Sequence, residues 1–354
     1  MKFVFTTSFG SIESRHSVII RLETNTGLVG WGESAALHAP IYNSETIETC
    51  IHMQRDYLIP LLLNHEIEIE EYVKNTDKLR GNRIAKFGVE CALWGIKSLS
   101  ENKPLYQLLG GTRTEIPVGE SIGIQKSIED TIKLIAKKLN EGYQRIKLKI
   151  RPGWDTTLIK SVREVYPKIQ LMVDANSSYT LDDIKIFEEL DKYNLMMIEQ
   201  PLAEDDIIDH AQIQKRIKTP ICLDESINSA EDARKAIELG SCKIINVKPG
   251  RVGGLIESSK INILAKSAKI PLWCGGMLET GIAKSYNLAA ASMSEFTLPA
   301  DCSPTEEFFY EDITNPSVVV KSSGIIDISS IPGLGYEINH LNLENLTLSE
   351  IELK

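Results

Sequence analysis

Charged residues recur along the middle of this chain on a fixed beat. Lys149, Asp174, Glu199, Asp224 and Lys248 follow one another at intervals of 25, 25, 25 and 24 residues. Each stands at the C-terminal end of a short, largely apolar run. The runs are Arg145–Ile150, Ile169–Val173, Met196–Ile198, Ile221–Leu223 and Ile244–Val247, and Leu272–Cys274 continues the series. Amphipathic stretches with helix-start signals lie between them. Ser127-Ile128-Glu129-Asp130, Thr180-Leu181-Asp182-Asp183 and Ser229-Ala230-Glu231-Asp232 read as N-caps, and Gly142 and Gly240 read as stops. Strands alternating with helices at this length imply parallel strands joined by crossover helices. A unit of roughly 25–30 residues is the step of a β/α barrel, which typically needs about 250 residues. The chain has 354 residues, so the barrel leaves the first third as a separate unit. An open doubly wound sheet is the competitor, but its GxGxxG phosphate turn is absent.

The first third reads as mixed α+β. Val18-Ile19-Ile20-Arg21-Leu22-Glu23, the turn Asn25-Thr26-Gly27 and Val29-Gly30-Trp31-Gly32-Glu33 predict a hairpin. Residues 44–63 and 83–100 carry helical spacing, and Pro104 with Gly110-Gly111 marks a boundary. The expected division is an α+β unit over 1–115, the barrel over 116–310, and a C-terminal segment over 311–354 that folds back on the first unit.

The net charge of −10 argues against a nucleic-acid partner. No apolar run approaches the ~20 residues of a membrane span. The N-terminal Met1-Lys2-Phe3-Val4-Phe5 lacks signal-peptide character. Six scattered cysteines without a CxxC pair suit reduced thiols in a cytoplasmic protein. The six histidines show no zinc spacing.

In a barrel the C-terminal strand ends share one mouth, so Asp174, Glu199 and Asp224 converge there. A single acid at a strand end is ordinarily a helix cap or ion-pair partner; five charged residues in phase are not. Three gathered carboxylates need a counter-charge, and a hard divalent cation with about six oxygen ligands supplies it. Mg²⁺ is the expected ion, with Mn²⁺ as an alternative. Lys147 and Lys149 alternate on one strand and so face the same interior side. Lys248 comes from the far side of the acids, with Arg251 three residues on. A lysine near a divalent cation and other lysines is expected to have its charged form disfavoured and so to serve as a base. The matching reaction removes a proton α to a carboxylate and stabilises the enediolate as it develops.

The motifs Lys147-Leu148-Lys149, Val173-Asp174-Ala175-Asn176, Ile198-Glu199-Gln200-Pro201, Leu223-Asp224-Glu225-Ser226 and Asn246-Val247-Lys248-Pro249-Gly250 resemble the enolase superfamily, in its muconate-lactonizing subgroup. Trp273-Cys274-Gly275-Gly276 lacks the His base of the mandelate-racemase branch. Lys248 through Gly254, Trp273 through Ile282 and Phe296-Thr297-Leu298-Pro299 are similar to the o-succinylbenzoate synthase family, in the branch that also racemizes N-acyl amino acids. Thr7-Ser8-Phe9-Gly10 and Pro40-Ile41-Tyr42 resemble that branch's capping loops.

The resemblance implies a modified TIM barrel, (β/α)7β, with an α+β capping domain formed by the N-terminal third and C-terminal tail. It implies Lys149 as the base, Lys248 as anion stabiliser or second base, and Lys147 beside the substrate carboxylate. It further implies Mg²⁺ held by Asp174, Glu199 and Asp224, with Asn176 close by. Substrate contacts would come from Phe5, Tyr42, Ser121, Asn176, Gly276, Met277 and Phe308. The implied activity is the syn-dehydration that forms o-succinylbenzoate in menaquinone synthesis. N-Succinylamino acid racemization is the alternative, with dipeptide epimerization and a non-catalytic binding barrel behind it. Asp301-Cys302-Ser303 offers one Asp where an epimerase usually has Asp-x-Asp. The partner is a small carboxylate substrate, with no membrane or nucleic acid, and a homo-oligomer is expected. The chain departs from the family in starting near the end of the family's first strand, which predicts a short edge to the capping sheet. Ala283-Lys284 replaces the usual Gly-Arg, Ala300 a usual Gly, and Glu306-Glu307 stands where an Arg is common before Phe308, which bears on acyl-group specificity.

Overall fold

The computed structural model describes residues 1–8 and 10–354. Phe9, in the first capping-loop motif, lies outside the described residues. Two short strands, β1 (Phe5–Thr7) and β2 (Gly10–Ile12), pair antiparallel, and β3 (Val18–Glu23) and β4 (Val29–Ser34) form the expected hairpin. The helix expected over 44–63 is broken into an α-helix Ile47–Met53, a π-helical turn Gln54–Leu58 and a 3-10 turn Ile59–Leu61. Pro60, which offers no backbone N–H, falls in the last of these. A helix over Ile69–Thr76 was not expected. The helix Arg83–Glu101 packs its apolar face on the hairpin, where Gly30 and Gly32 leave room for its backbone.

β5 (Glu115–Pro117) pairs with Ile325–Asp327 of the C-terminal segment. Then comes the barrel: β6 (Gly119–Ile122), β7 (Arg145–Lys149), β8 (Leu171–Asp174), β9 (Ile198–Glu199), β10 (Ile221–Leu223), β11 (Ile244–Val247) and β12 (Leu272–Cys274). They lie side by side in chain order, all parallel. Residues 298–301 close the ring. Leu298 N donates to Leu272 O and Asp301 N to Cys274 O, while Ala300 N donates to Pro117 O and Gly119 N to Ala300 O. This is the expected (β/α)7β arrangement. The helix starts are as predicted: Ser127 and Ser229 cap Ile128–Asn140 and Ala230–Leu239, Thr180 forms a reciprocal box with Asp183, and Gly240 ends its helix at φ 71°.

Alternation sorts each barrel strand into two layers. Ile146, Leu148, Val173, Ile198, Leu223, Ile245 and Val247 point outward into the main core under the helices. Met172, Met197, Cys222, Ile244 and Trp273 fill the barrel interior as a separate apolar plug. The acidic side chains of the interior stand above that plug, while Arg145 and Lys147 lie against its Trp273 ring.

The capping unit is fastened to the barrel by two buried glutamates. Glu33 accepts from Thr280 N and Ala283 N, at the start of the helix Gly281–Ala291, and from Thr280 Oγ1 and Ser17 Oγ. Glu90 accepts from Leu255 N and Ile256 N, at the start of the helix Leu255–Ala268, and from Trp94 Nε1. Helix starts carry unpaired N–H groups and a partial positive charge, which suit a carboxylate. The tail touches the same unit: Gly333 N donates to Ser98 Oγ, and the His340 ring lies 6.1 Å from Trp31.

Candidate active site

Register brings the phased charges together. Lys149 stands opposite Asp174, and Asp174 opposite Glu199. Asp224 and Lys248 follow β10 and β11 directly. All five, with Lys147, are buried. Lys149 Nζ lies 2.5 Å from Asp174 Oδ2. Lys147 Nζ lies 3.4 Å from the same oxygen, 3.2 Å from Glu199 Oε2 and 2.5 Å from Asp301 Oδ2. Lys248 Nζ lies 2.8 Å from Asp224 Oδ2, and Arg251 pairs with Asp224 Oδ1. Lys149 therefore serves one end of the acid row and Lys248 the other, with Glu199 between.

The protein's own charged groups act on the lysines in a definite direction. Burial opposes the charge on Lys147, but Asp301, Glu199 and Asp174 outweigh it and hold the ammonium above its ordinary pKa. Lys248 is likewise raised, against burial, by Tyr42, Glu225 and Glu199. Among the protein's own groups, the carboxylates thus favour the charged forms of Lys147 and Lys248. Asp174 is buried too, yet Lys149 and Lys147 pull its pKa below the ordinary range. Glu199 is raised by burial and by Asp174. Glu225 is pushed up to about 7 by burial and Asp174.

Of the implied substrate residues, Tyr42, Ser121 and Asn176 adjoin the charged row, whereas Met277 packs on the core of the capping unit. Tyr42 reaches in from the capping unit: its hydroxyl accepts from Lys248 Nζ at 3.1 Å and lies 3.4 Å from Asp224 Oδ1. Ser121 is opposite Lys147 in the sheet, and its Oγ is buried with no hydrogen-bond partner. Asn176 donates to Glu225 Oε1, and Ser8 Oγ of the capping unit donates to Asn176 O. Gly276 lies against Asp301 O, where a Cβ would sit only 2.5 Å away. Met277 O accepts from Arg15, which also grips Ala35 O and Ala36 O. Phe5 and Phe308 form an edge-to-face pair with centroids 6.0 Å apart. Glu307, beside Phe308, is tied to Lys138 at 2.5 Å. Lys284 is buried and donates to Glu279 O and Thr305 Oγ1.

Several participants were not singled out from the sequence. Gln200 holds the Asp224 backbone, its Oε1 accepting from Asp224 N and Ser226 N. Asn246 donates to Glu199 Oε1 at 2.7 Å. Arg145 Nη2 donates to Asp301 Oδ1 at 2.6 Å. Gln200 and Asn246 stand within the quoted motifs, which was the available signal; Arg145 carried none beyond its place two residues before Lys147.

The oxygen set suits a hard cation. Among the described residues no three acidic, His or Cys side chains already form a metal cage. Buried oxygens without a hydrogen-bond donor do gather here, on Asp224 Oδ2, Asn176 Oδ1, Glu225 Oε2 and Asn246 Oδ1. The Lys248 ammonium near Asp224 Oδ2 is an ion pair without hydrogen-bond alignment. Buried acceptors left unsatisfied are costly, and all-oxygen donors match Mg²⁺ in kind.

Comparison with known proteins defines the class as a capped enolase-type barrel. Residues 2–110 match the mandelate racemase / muconate lactonizing enzyme N-terminal domain, and residues 130–342 the enolase C-terminal domain-like family. The chain belongs to the mandelate racemase / muconate lactonizing enzyme family of the enolase superfamily. It is 48% identical over 340 residues to an o-succinylbenzoate synthase of Bacillus subtilis, covering 96% of this chain and 91% of that protein. It is 42% identical to an N-succinylamino acid racemase of Thermus thermophilus, covering 98% and 94%. A solved enolase-superfamily member from Listeria innocua superposes with a TM-score of 0.94 at 39% identity, covering 98% of this chain and 94% of that one. Among the described residues no helix is long and apolar enough to cross a membrane.

Proposed function

We propose that this protein abstracts the proton α to a substrate carboxylate with Mg²⁺ bound, and that its reaction is the syn-dehydration forming o-succinylbenzoate in menaquinone synthesis. The observation that carries this is the row Lys149–Asp174–Glu199–Asp224–Lys248 at successive strand ends on one rim, together with relatives of that name. Asp174, Glu199 and Asp224 would hold the ion, with Mn²⁺ as a substitute. Bound there, a divalent cation supplies positive charge to the substrate carboxylate as negative charge develops on it. It would also take up the carboxylate charge that now raises the lysines. Lys149 removes the α-proton, Lys248 faces it and stabilises the anion, and Lys147 sits beside the substrate carboxylate. Tyr42, Ser121, Asn176, Gly276 and Met277 shape the mouth, and Phe5 with Phe308 gives it an apolar wall.

The placement of Lys149 and Lys248 at opposite ends of the acid row favours N-succinylamino acid racemase as the second reading, since two opposed bases are what racemization needs. A dipeptide epimerase would need an acid for the substrate ammonium, and Asp301 is already engaged by Arg145 and Lys147. We place the protein in the cytoplasm as a homo-oligomer without nucleic-acid or membrane partners.

The test offers the protein with Mg²⁺ the cyclohexadiene carboxylate and, separately, N-succinyl amino acids in D₂O. Water loss from the first is expected. Deuterium at Cα with inversion in the second, without dehydration of the first, would assign the racemase. Neither event would sink both readings.

A further inference from the structure

Beneath the rim, the barrel interior holds a second charged layer. Arg145 is 1% exposed, and its guanidinium carbon lies 4.9 Å from the centroid of the Trp273 ring. The Lys147 ammonium lies 4.8 Å from the same centroid. Two cations therefore share one indole. Asp301 stands between them: Oδ1 takes Arg145 Nη2 at 2.6 Å, and Oδ2 takes Lys147 Nζ at 2.5 Å. Arg145 is fixed independently, donating to Pro299 O at 2.9 Å. Gly119 makes way for it, since a Cβ there would lie 2.5 Å from Arg145 Nε and Cζ. Asp301 is fixed by the ring closure, its N donating to Cys274 O.

Lys147 has three carboxylates within reach, Asp301, Glu199 and Asp174. Two of these belong to the proposed cation set. Asp301 does not, and it is the nearest. Without its charge, Arg145 and Lys147 would repel across one ring, and Lys147 would be left with Asp174 and Glu199 alone. An ammonium drawn onto those two competes directly for the oxygens a divalent cation needs.

We propose that Asp301 is a positioning residue: anchored by Arg145, it takes the shortest contact of the Lys147 ammonium and so loosens that ammonium's hold on Asp174 and Glu199, easing its displacement from those oxygens by the divalent cation. The role rests on the metal-assisted reading above. It assigns the acid of the eighth strand to a lysine of this chain rather than to a substrate.

The test measures Mn²⁺ binding by calorimetry on the purified full chain, with turnover recorded alongside. Partners that orient a metal site from behind typically cost about 10- to 100-fold in affinity when replaced. Asp301→Asn is expected to weaken Mn²⁺ by about that factor. Lys147→Met is expected not to weaken it, because the Lys147 ammonium then no longer competes for Asp174 and Glu199. In the double variant, Asp301→Asn should add nothing to Lys147→Met, since residues acting through one another are non-additive. Wild-type affinity in Asp301→Asn, or an equal loss in the Lys147→Met background, would overturn the proposal. Failure of the wild type to bind Mn²⁺ would instead remove the metal reading itself. Should Asp301→Asn fail to fold, Asp301→Asn with Arg145→Met removes the anchoring pair together, and the same loss of Mn²⁺ affinity is expected; unchanged affinity there counts against Asp301 equally.

Discussion

The carboxylates of Glu33 and Glu90 on the capping side and those of Asp174, Glu199 and Asp224 on the barrel rim are equally withdrawn from water, but they are partnered differently. Glu33 and Glu90 are met by backbone N–H groups at helix starts, which cannot leave without unravelling a turn. The rim acids are met mostly by side chains, namely lysine ammonium groups on flexible stems, Arg251 and Asn246, with one backbone donor, Asn176 N to Asp174 Oδ1, and bare oxygens remain beside them. Burial of an acid alone therefore says little about purpose. What separates fastening from chemistry is whether its partners belong to the backbone or can be exchanged.

That contrast can be broken most decisively at the rim. Lys149→Ala should lower kcat by about 10²–10⁴-fold, the usual worth of a general base, with the thermal midpoint nearly unchanged. In D₂O it should abolish α-deuteration of one enantiomer of an N-succinyl amino acid, while Lys248→Ala abolishes the other. Equal exchange in both variants would remove the two-base arrangement. Asp224→Asn should raise the Mg²⁺ needed for half-activation by more than the about 10–100-fold typical of outer partners, as read in a metal titration.

On the capping side the expected effects are on stability. Glu33→Ala orphans buried donors of Thr280 and Ala283, each worth about 1–3 kcal/mol. The loss should appear in denaturant unfolding. Glu90 gives the smallest and most specific effect. Burial pushes its pKa up to about 7, against its hydrogen bonds from Ile256, Trp94 and Leu255. A raised folded-state pKa contributes stability that is full below the ordinary carboxylate pKa and is lost as pH rises through the folded value. Wild-type stability should therefore carry a falling component between about pH 4.5 and 7 that Glu90→Gln flattens. An unchanged slope would show that the helix start fully offsets the burial.

The beat of charges made the barrel and the rim legible, because period and face are local properties of a strand. Lys149, Asp174, Glu199, Asp224 and Lys248 needed only their spacing to be placed together. β6 was harder to see: Gly119, Glu120 and Ser121 are not strand formers, and Gly119 is there for Arg145 rather than for the sheet. The eighth strand position, around Pro299 and Ala300, had no periodic signal and exists through ring closure. The stack of Arg145, Asp301 and Trp273 joins residues far apart in the chain, and periodicity names a face without naming its neighbours. The charge balance at Lys147 was hidden for the same reason. The count of carboxylates around Lys147 includes Asp301, which only the closed barrel brings within reach.

The vacancy of a side chain at Gly119 has an evolutionary edge. Alanine there would collide with a guanidinium that braces the interior, while losing that guanidinium would leave a hole under the glycine. Neither position can drift alone, so across descendants of this sequence the two should be inherited as one character.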